Sequence, residues 1–134
     1  MGLVFDSNVF IRTERDNKSI DFSLWQEDYG EVFISVVTVS ELLVGVHRAN
    51  TENRRLRRTA FVEAILARVG ILDFTTEVAR IHAELFATLA KQGQMIGAHD
   101  LIIAATALTH GFPVLTADIA EFKRIPGLKV LTLT

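Results

Sequence analysis

The feature that most constrains the fold is an almost wholly apolar helix that runs directly into a short apolar strand. Residues 97–118 read GAHDLIIAATALTHGFPVLTAD, and Gly111 ends the predicted helix. Only a helix packed on most of its sides tolerates so many apolar residues in near succession. The segment therefore predicts a buried helix leading into a strand at 113–115, with Asp100 near its start and Asp118 at its finish.

Short apolar runs alternate with helical patterns along the rest of the chain. Apolar runs ended by turn residues predict buried strands, and apolar residues at helical spacing predict helices. This alternation is typical of βαβ units, and so of a parallel sheet with helices on both faces. The predicted strands lie at 3–5, 32–34, 71–74, 113–115 and 129–133, and the predicted helices follow Ser7, lie within 14–31, and begin near Thr38, Asn53, Thr75 and Ala98.

Two helix starts and one helical turn are predicted from local sequence patterns. Thr38-Val39-Ser40-Glu41 has the S/T-x-x-E form of a capping box, which would open a helix there. Asn53 precedes a basic helix, and Asn is a favoured N-cap. Residues 118–121 are expected to form a single helical turn.

Length and composition restrict the class of protein. A chain of 134 residues with 49% apolar residues suits one domain, 1–134, with one core. There is no Cys, so a disulfide framework or a thiolate metal site is excluded. The opening residues lack a signal-peptide pattern, and the longest apolar run is too short to span a bilayer. We therefore expect a cytoplasmic protein that does not associate with a membrane. The net charge of −2 means that binding a polyanion needs a local basic patch or metal ions.

Four carboxylates are predicted to meet at one edge of the sheet. In an open α/β sheet, ligands bind beyond the carboxyl ends of the strands. Asp6 directly follows the first strand, and Glu41 lies in a first helical turn after the second. Asp118 follows the strand at 113–115, and Asp100 reaches the same edge if the crossover places the start of its helix there.

Each acid also has a purely structural explanation. Asp6 and Asp118 could be N-caps, Glu41 could complete the capping box, and Asp100 could interact with the helix dipole. Together, however, carboxylates at one edge repel each other unless a cation lies among them, and no Lys or Arg is adjacent in sequence to any of the four. Oxygen ligands favour Mg²⁺ or Mn²⁺ over Zn²⁺, and such a site suits hydrolysis of a phosphodiester by an activated water.

These residues stand in blocks that resemble the PIN-domain nucleases, and within them the VapC or FitB type of toxin from bacterial toxin–antitoxin pairs. The resemblance spans nearly the whole length, and its third and fourth blocks are the specific ones. It implies a PIN-like three-layer α/β fold with a central, mostly parallel sheet flanked by helices. The blocks are DSN at 6–8, TVSELLVG at 38–45, GAHDLIIAATALTHG at 97–111 and LTADIAEFKRIPGLKV at 115–130.

The resemblance also implies roles for particular residues. The family's four acids, which are its catalytic residues and metal ligands, correspond to Asp6, Glu41, Asp100 and Asp118. Many relatives carry Asn where Asp118 stands and an acid three residues later, where Glu121 stands here, so both are candidates for the fourth ligand. Supporting polar positions correspond to Ser7, Asn8 and Thr116.

The function implied by the resemblance is a Mg²⁺- or Mn²⁺-dependent endoribonuclease that cleaves RNA as the toxin of a type II toxin–antitoxin system. It would be a homodimer, silenced by a cognate VapB-like antitoxin. The alternatives are an RNA-processing nuclease without a toxin role and a non-catalytic PIN module that binds RNA or protein. An aspartyl phosphatase would need Asp where Asn8 stands, and a receiver domain would need paired acids near the first strand.

Two further signals remain open at this point. Four arginines at 54, 55, 57 and 58 could guide RNA phosphates, bind an acidic partner or form a solvated helix face. His99 could contact substrate or be a plain polar position in the first turn of its helix. His82 and Glu84 have the H-x-E form of zinc deaminases, but the Cys ligands are missing.

Overall fold

The computed structural model describes residues 1–133, in which five parallel strands form one sheet in the order β3-β2-β1-β4-β5. Thr134, the last residue of the predicted domain, lies outside the described residues. The strands are β1 (Gly2–Phe5), β2 (Glu31–Ser35), β3 (Gly70–Leu72), β4 (Val114–Thr116) and β5 (Val130–Thr132). The helices are α1 (Ser7–Arg15), α2 (Ser23–Tyr29), α3 (Val36–His47), α4 (Glu52–Leu66), α5 (Thr76–Gln92) and α6 (Ala98–His110).

The central strand β1 is buried on both faces and joins two hydrophobic cores. Leu3 and Phe5 pack in the core that holds side chains of α1, α3 and α4, whereas Val4 packs with α5 and α6. Alternate side chains of a strand point to opposite faces, so a strand covered on both sides is apolar throughout. The predicted three-layer α/β fold is confirmed, and the sheet, predicted to be mostly parallel, is parallel in every pair.

The buried helix predicted from the sequence is confirmed as α6. Gly111 follows it in the left-handed conformation with φ 72°, which glycine adopts without steric strain. Most of its middle residues are fully buried, as the apolar run required. Within residues 1–133 no helix combines the length and the apolar character needed to cross a membrane.

Two predicted helix starts are wrong. α3 begins at Val36, ahead of the capping box predicted at Thr38, because the Ser35 hydroxyl at the end of β2 accepts a first-turn backbone N–H at 3.2 Å. α4 is capped by Thr51 rather than Asn53, with its hydroxyl 3.1 Å from a first-turn backbone nitrogen. Several Ser, Thr and Asn residues precede each helix, and the pattern alone does not tell which one adopts the extended N-cap conformation.

The order of the strands places the site between β1 and β4. From β1 the chain proceeds outward through β2 to β3, and then crosses back to β4 on the other side of β1. At such a switch point the connections leave in opposite directions, so a crevice opens beyond the carboxyl ends of the two strands. Asp6 follows β1 there, and Thr116 ends β4.

Candidate active site

The Asp6 carboxylate is buried and held by neutral hydrogen-bond donors. Only 4% of the residue is exposed, and its Oδ2 accepts a hydrogen bond from the Thr116 hydroxyl at 2.8 Å. Asn8 joins the same two strand ends, since its Oδ1 accepts the Ala117 N–H at 3.1 Å and its Nδ2 lies 3.3 Å from the Thr116 oxygen. Asp6 occupies the N-cap position of α1 without a full side-chain cap hydrogen bond, although the backbone N–H groups of Ser7 and Asn8 in the first turn lower its pKa. Its contacts thus combine the start of α1 with the end of β4.

A chain of hydroxyl groups connects the start of α1 to α3. Ser7 Oγ donates to Glu41 Oε1 at 2.7 Å and lies 3.0 Å from the Thr38 hydroxyl. Because α3 begins before Thr38, this residue and Glu41 lie three positions apart on the same helical face. His99 Nδ1 lies 3.4 Å from Glu41 Oε1, so the start of α6 also contacts this carboxylate.

Asp100 faces other carboxylates rather than neutral donors. Its carboxyl lies within hydrogen-bonding reach of Glu121 and is close enough to Asp6 and Glu41 to feel their charges. Glu121 Oε1 accepts the Gly97 N–H at 3.3 Å, which ties the loop after β4 to the start of α6. The crossover therefore brings the start of α6 to the predicted edge of the sheet.

Burial and mutual repulsion raise the pKa values of two of these acids. Desolvation raises the pKa of Asp6 from 3.8 to about 6, although the Thr116 hydroxyl and the N–H groups of Ser7 and Asn8 oppose the shift. Desolvation also raises the pKa of Asp100 to about 8, and there the hydrogen bond with Glu121 and the charges of Asp6, Glu121 and Glu41 all act in the same direction. The folded chain therefore disfavours the ionised forms of Asp6 and Asp100.

Asp118 is directed elsewhere. Its Oδ1 accepts the Ala120 N–H at 3.2 Å, which is the hydrogen bond of an Asx turn. Its side chain borders a cleft with Arg12 and Arg15. The helical turn predicted at 118–121 is wrong, because the Asx turn delays it and a 3-10 turn forms instead at Phe122–Arg124.

The donors around this edge fit a hard divalent cation. They are carboxylate oxygens, the ligand type that Mg²⁺ and Mn²⁺ prefer, and the pKa values of Asp6 and Asp100 are raised by burial first and by nearby negative charge second. A Cβ on Gly97 would lie in van der Waals contact with both carboxylates, 3.6 Å from Asp100 Oδ2 and 3.7 Å from Glu121 Oε2, so the backbone of Gly97 borders this pair. Across the described part of the chain, no three His, Asp or Glu side chains form a group compact enough to hold a metal as they stand. The arrangement is thus an open edge, suited to an ion that keeps several waters.

Sequence reasoning missed the contacts of Thr38 and His99. Thr38 was assigned to a helix cap, but its position three residues before Glu41 also puts both side chains on one helical face, which was the available signal. For His99 the sequence allows two interpretations, and it contains nothing that would bring this residue next to Glu41. That contact depends on where the crossover into α6 sets the helix.

The acidic side chains lie at the switch point of a parallel sheet, where α/β folds bind their ligands. The family described as PIN domain matches residues 3–128. Ribonuclease VapC1 of Rickettsia felis is 42% identical over 134 residues, covering 100% of this chain and 98% of that protein. The tRNA(fMet)-specific endonuclease VapC of Salmonella typhimurium is 30% identical over 130 residues, covering 97% of this chain and 96% of that protein.

Solved structures agree with the sequence comparisons. The crystal structure of VapBC2 from Rickettsia felis bound to a DNA fragment from their promoter superposes with a TM-score of 0.89 at 25% identity, covering 100% of both chains. The chain belongs to the PIN domain family, among its VapC ribonucleases. This confirms the predicted class of enzyme, a nuclease of toxin–antitoxin systems, and ribonucleases of this family generally depend on a divalent metal.

Proposed function

We propose that this protein hydrolyses RNA phosphodiesters with Mg²⁺ or Mn²⁺ bound by Asp6, Glu41, Asp100 and Glu121, and that it is the toxin of a type II toxin–antitoxin pair. The observation that carries the proposal is that Asp6, Glu41, Asp100 and Glu121 come together at the switch point of the sheet. Glu121 takes the position of fourth ligand, because it faces Asp100 while the Asp118 carboxylate caps a turn.

The residues of the site have distinct roles in this mechanism. A divalent cation bound here would supply an activated water and charge neutralisation at the phosphate. Asp6, Glu41, Asp100 and Glu121 would hold it. Ser7 and Thr38 orient Glu41, while Thr116 and Asn8 orient Asp6 and join the ends of β1 and β4. Fixed donors of this kind keep ligands in one geometry, which outer-shell partners do in metal sites generally.

The partners follow from surfaces away from the crevice. Large apolar side chains are exposed on α3 and α4, at Val44 and Leu56, and around β3 and α5, at Phe74 and Phe86. Two apolar surfaces suit two partners, a second copy of the chain and an antitoxin. We call the edge formed by Asp6, Glu41, Asp100 and Glu121 the active edge. A cleft that includes Glu41, Leu42, Gly45 and Phe61 leads away from it and suits an amphipathic helix of a VapB-like antitoxin.

The decisive experiment is cleavage by the purified chain alone. Labelled total RNA and initiator tRNA are incubated with Mg²⁺, Mn²⁺, Zn²⁺ or EDTA, and the products are mapped to single nucleotides. Initiator tRNA is included because relatives are named for tRNA(fMet). The proposal expects defined internal cuts with Mg²⁺ or Mn²⁺ and none with EDTA, and RNA that stays intact under all conditions would leave a non-catalytic binding module.

The toxin role needs a separate measurement in cells. Expression of the chain in the cytoplasm should arrest growth, and co-expression of an adjacent small open reading frame should restore it. Harmless expression of a chain that cleaves RNA in vitro would refute the toxin role and leave an RNA-processing nuclease. The Asp100→Asn variant is the matched control, since toxicity caused by cleavage disappears with that carboxylate.

A further inference from the structure

A second cleft opens beside the active edge, and it shares Ile11 with the cleft that includes Glu41, Leu42, Gly45 and Phe61. It has a volume of about 310 Å³ and is formed by Asn8, Ile11, Arg12, Arg15, Ala117 and Asp118. We call it the arginine cleft. Asn8 belongs to both places, because its amide also joins the ends of β1 and β4 next to Asp6. The arginine cleft is therefore continuous with the active edge.

The arginines of this cleft are exposed and carry uncompensated charge. Among the ion pairs within residues 1–133, Arg58 lies 3.3 Å from Glu14 and Arg55 lies 3.1 Å from Glu52, but neither Arg12 nor Arg15 takes part in one. Asp118 is the single acid in the arginine cleft, and it is turned toward the Ala120 N–H. Two guanidinium groups against one carboxylate leave the cleft positive.

The arginines are spaced along α1 in a way that matches the path of an RNA strand lying across the active edge. Asn8, Arg12 and Arg15 lie on one face of α1, four and three residues apart. At 1.5 Å per residue, Arg12 and Arg15 stand about 9 and about 13 Å along the helix from Asp6. An RNA strand with one phosphate at the carboxylates would carry its neighbouring phosphates past these two side chains.

We propose that the arginine cleft binds the phosphates next to the one being cleaved, and so sets the direction in which RNA lies across the active edge. The proposal rests on the proposed ribonuclease function. Guanidinium groups bind phosphate oxygens bidentately and stay charged at every physiological pH. The positive cleft compensates on one side for an acidic edge that repels RNA.

A simpler explanation for the arginines is the dipole of α1, whose last turn contains both of them. That interaction depends on position along the helix axis and is the same on any face. It does not account for both side chains lining the face that continues from Asn8 to Asp118. Arg12 also borders a neighbouring cleft with Asp16 and Asp21, yet it forms no ion pair with either.

The test measures how salt weakens RNA binding. In an Asp6→Asn background with Mg²⁺, the affinity for labelled single-stranded RNA is measured over a series of salt concentrations. Each lost phosphate contact lowers the slope of log K against log salt by about 0.7, so Arg12→Gln/Arg15→Gln should reduce it by about 1.4. The reduction should be the same for RNAs of different sequence, since phosphate contacts do not read bases. Arg68→Gln/Lys129→Gln is the matched control, because both residues are exposed and precede β3 and β5, at the amino ends of the strands and away from the site.

The outcomes separate this inference from the proposed function. If the arginine and control variants show the same slope while the unmutated chain cleaves RNA, the RNA-binding role of the arginine cleft is refuted and the ribonuclease function stands. The same conclusion follows if the arginine variant loses antitoxin binding but keeps the RNA slope, because the cleft would then serve a protein. Absence of both cleavage by the unmutated chain and RNA binding by the background variant would overturn both proposals.

Discussion

The two halves of the active edge are built on opposite physical principles. Asp6 is almost fully buried, and neutral donors on β4 and α1 hold it and oppose the rise of its pKa. Asp100 is less buried, and every neighbour that affects its pKa adds to the rise, so that its pKa is about 8 against about 6 for Asp6. The hydrogen bonds of the Asp6 half are already formed in the folded chain. The Asp100 half brings together carboxylates that repel each other and that a cation would neutralise.

This difference separates positioning from binding. Hydroxyl groups of Ser7 and Thr116 hold Glu41 and Asp6 in the folded chain. Asp100 and Glu121 repel each other unless one of them is protonated or a cation lies between them. The binding energy of a metal is thus expected to appear mainly in the Asp100 half, and the geometry of catalysis to depend on the Asp6 half.

The largest expected effect is the loss of activity on replacing a proposed ligand. Asp6→Asn, Glu41→Gln, Asp100→Asn and Glu121→Gln should each reduce kcat/KM for RNA by more than about 100-fold, beyond the roughly 10–100-fold typical of outer-shell partners. An amide is a neutral and weaker ligand for a hard cation. The measurement is cleavage of one fixed RNA with Mg²⁺ by each variant.

Stability distinguishes the two halves within the same set of variants. Without metal at pH 8, Asp100→Asn should raise Tm more than Asp6→Asn does, because it removes the carboxylate that most of its neighbours repel. If Asp100→Asn lowers both Tm and activity, the carboxylate has a structural role and the comparison fails.

The next effect is the dependence of stability on pH and metal. Both Asp6 and Asp100 have pKa values above the ordinary 3.8, so the folded chain holds more protons than the unfolded one. Their contribution to stability is complete below pH 3.8 and falls as pH rises through about 6 and about 8. Mg²⁺ must displace those protons, so it should raise Tm far more at pH 8 than at pH 5.5.

The size of the shift can be estimated. Metal at a hundred times its Kd adds about 2.7 kcal/mol, which corresponds to roughly 10 °C for a chain of this length. Differential scanning calorimetry at both pH values, with and without Mg²⁺, measures it. An equal shift at pH 5.5 and pH 8 would mean that the raised carboxylates are not the ligands, and Asp100→Asn should abolish most of the shift at pH 8.

A smaller effect is expected from the neutral donors of the Asp6 half. Thr116→Val removes the hydroxyl that donates to Asp6 at 2.8 Å, and it should reduce kcat by about 10–100-fold. It should also raise the pKa of Asp6 further, since that hydrogen bond lowers it, and move the rise of the pH–rate profile to higher pH.

Two variants make the Thr116 result interpretable. Thr116→Ser keeps the hydroxyl and should retain most of the activity. Thr106→Val is the control for loss of a buried threonine hydroxyl, because that hydroxyl donates to the Ile102 carbonyl within α6 and contacts no residue of the site. Equal losses from Thr106→Val and Thr116→Val would show a general effect on packing.

The sequence predicted the fold and the Asp6 half better than the Asp100 half. Periodicity and turn residues located every strand, since a strand buried on both faces must be apolar throughout. Asp6 follows its strand immediately, so the strand itself locates it. Asp100 and Glu121 meet only because a crossover and a loop converge, and the spacing of residues along the chain does not encode that distance. The wrong capping predictions arose similarly, since Ser35 and Thr51 compete with later candidates only in three dimensions.

The smallest effect is expected from Asp118→Asn, and it decides the identity of the fourth ligand. The asparagine carbonyl oxygen can accept the Ala120 N–H as the carboxylate does, so the turn is preserved. We expect activity within about two- to threefold of the unmutated chain, equivalent to about 0.5 kcal/mol for an exposed substitution. Asp118→Asn also removes the acid that lines the arginine cleft, so RNA should bind more tightly at low salt. Kinetics beside Glu121→Gln provides the comparison. If Asp118→Asn is as inactive as Asp6→Asn, then Asp118 is the fourth ligand and Glu121 does not bind the metal.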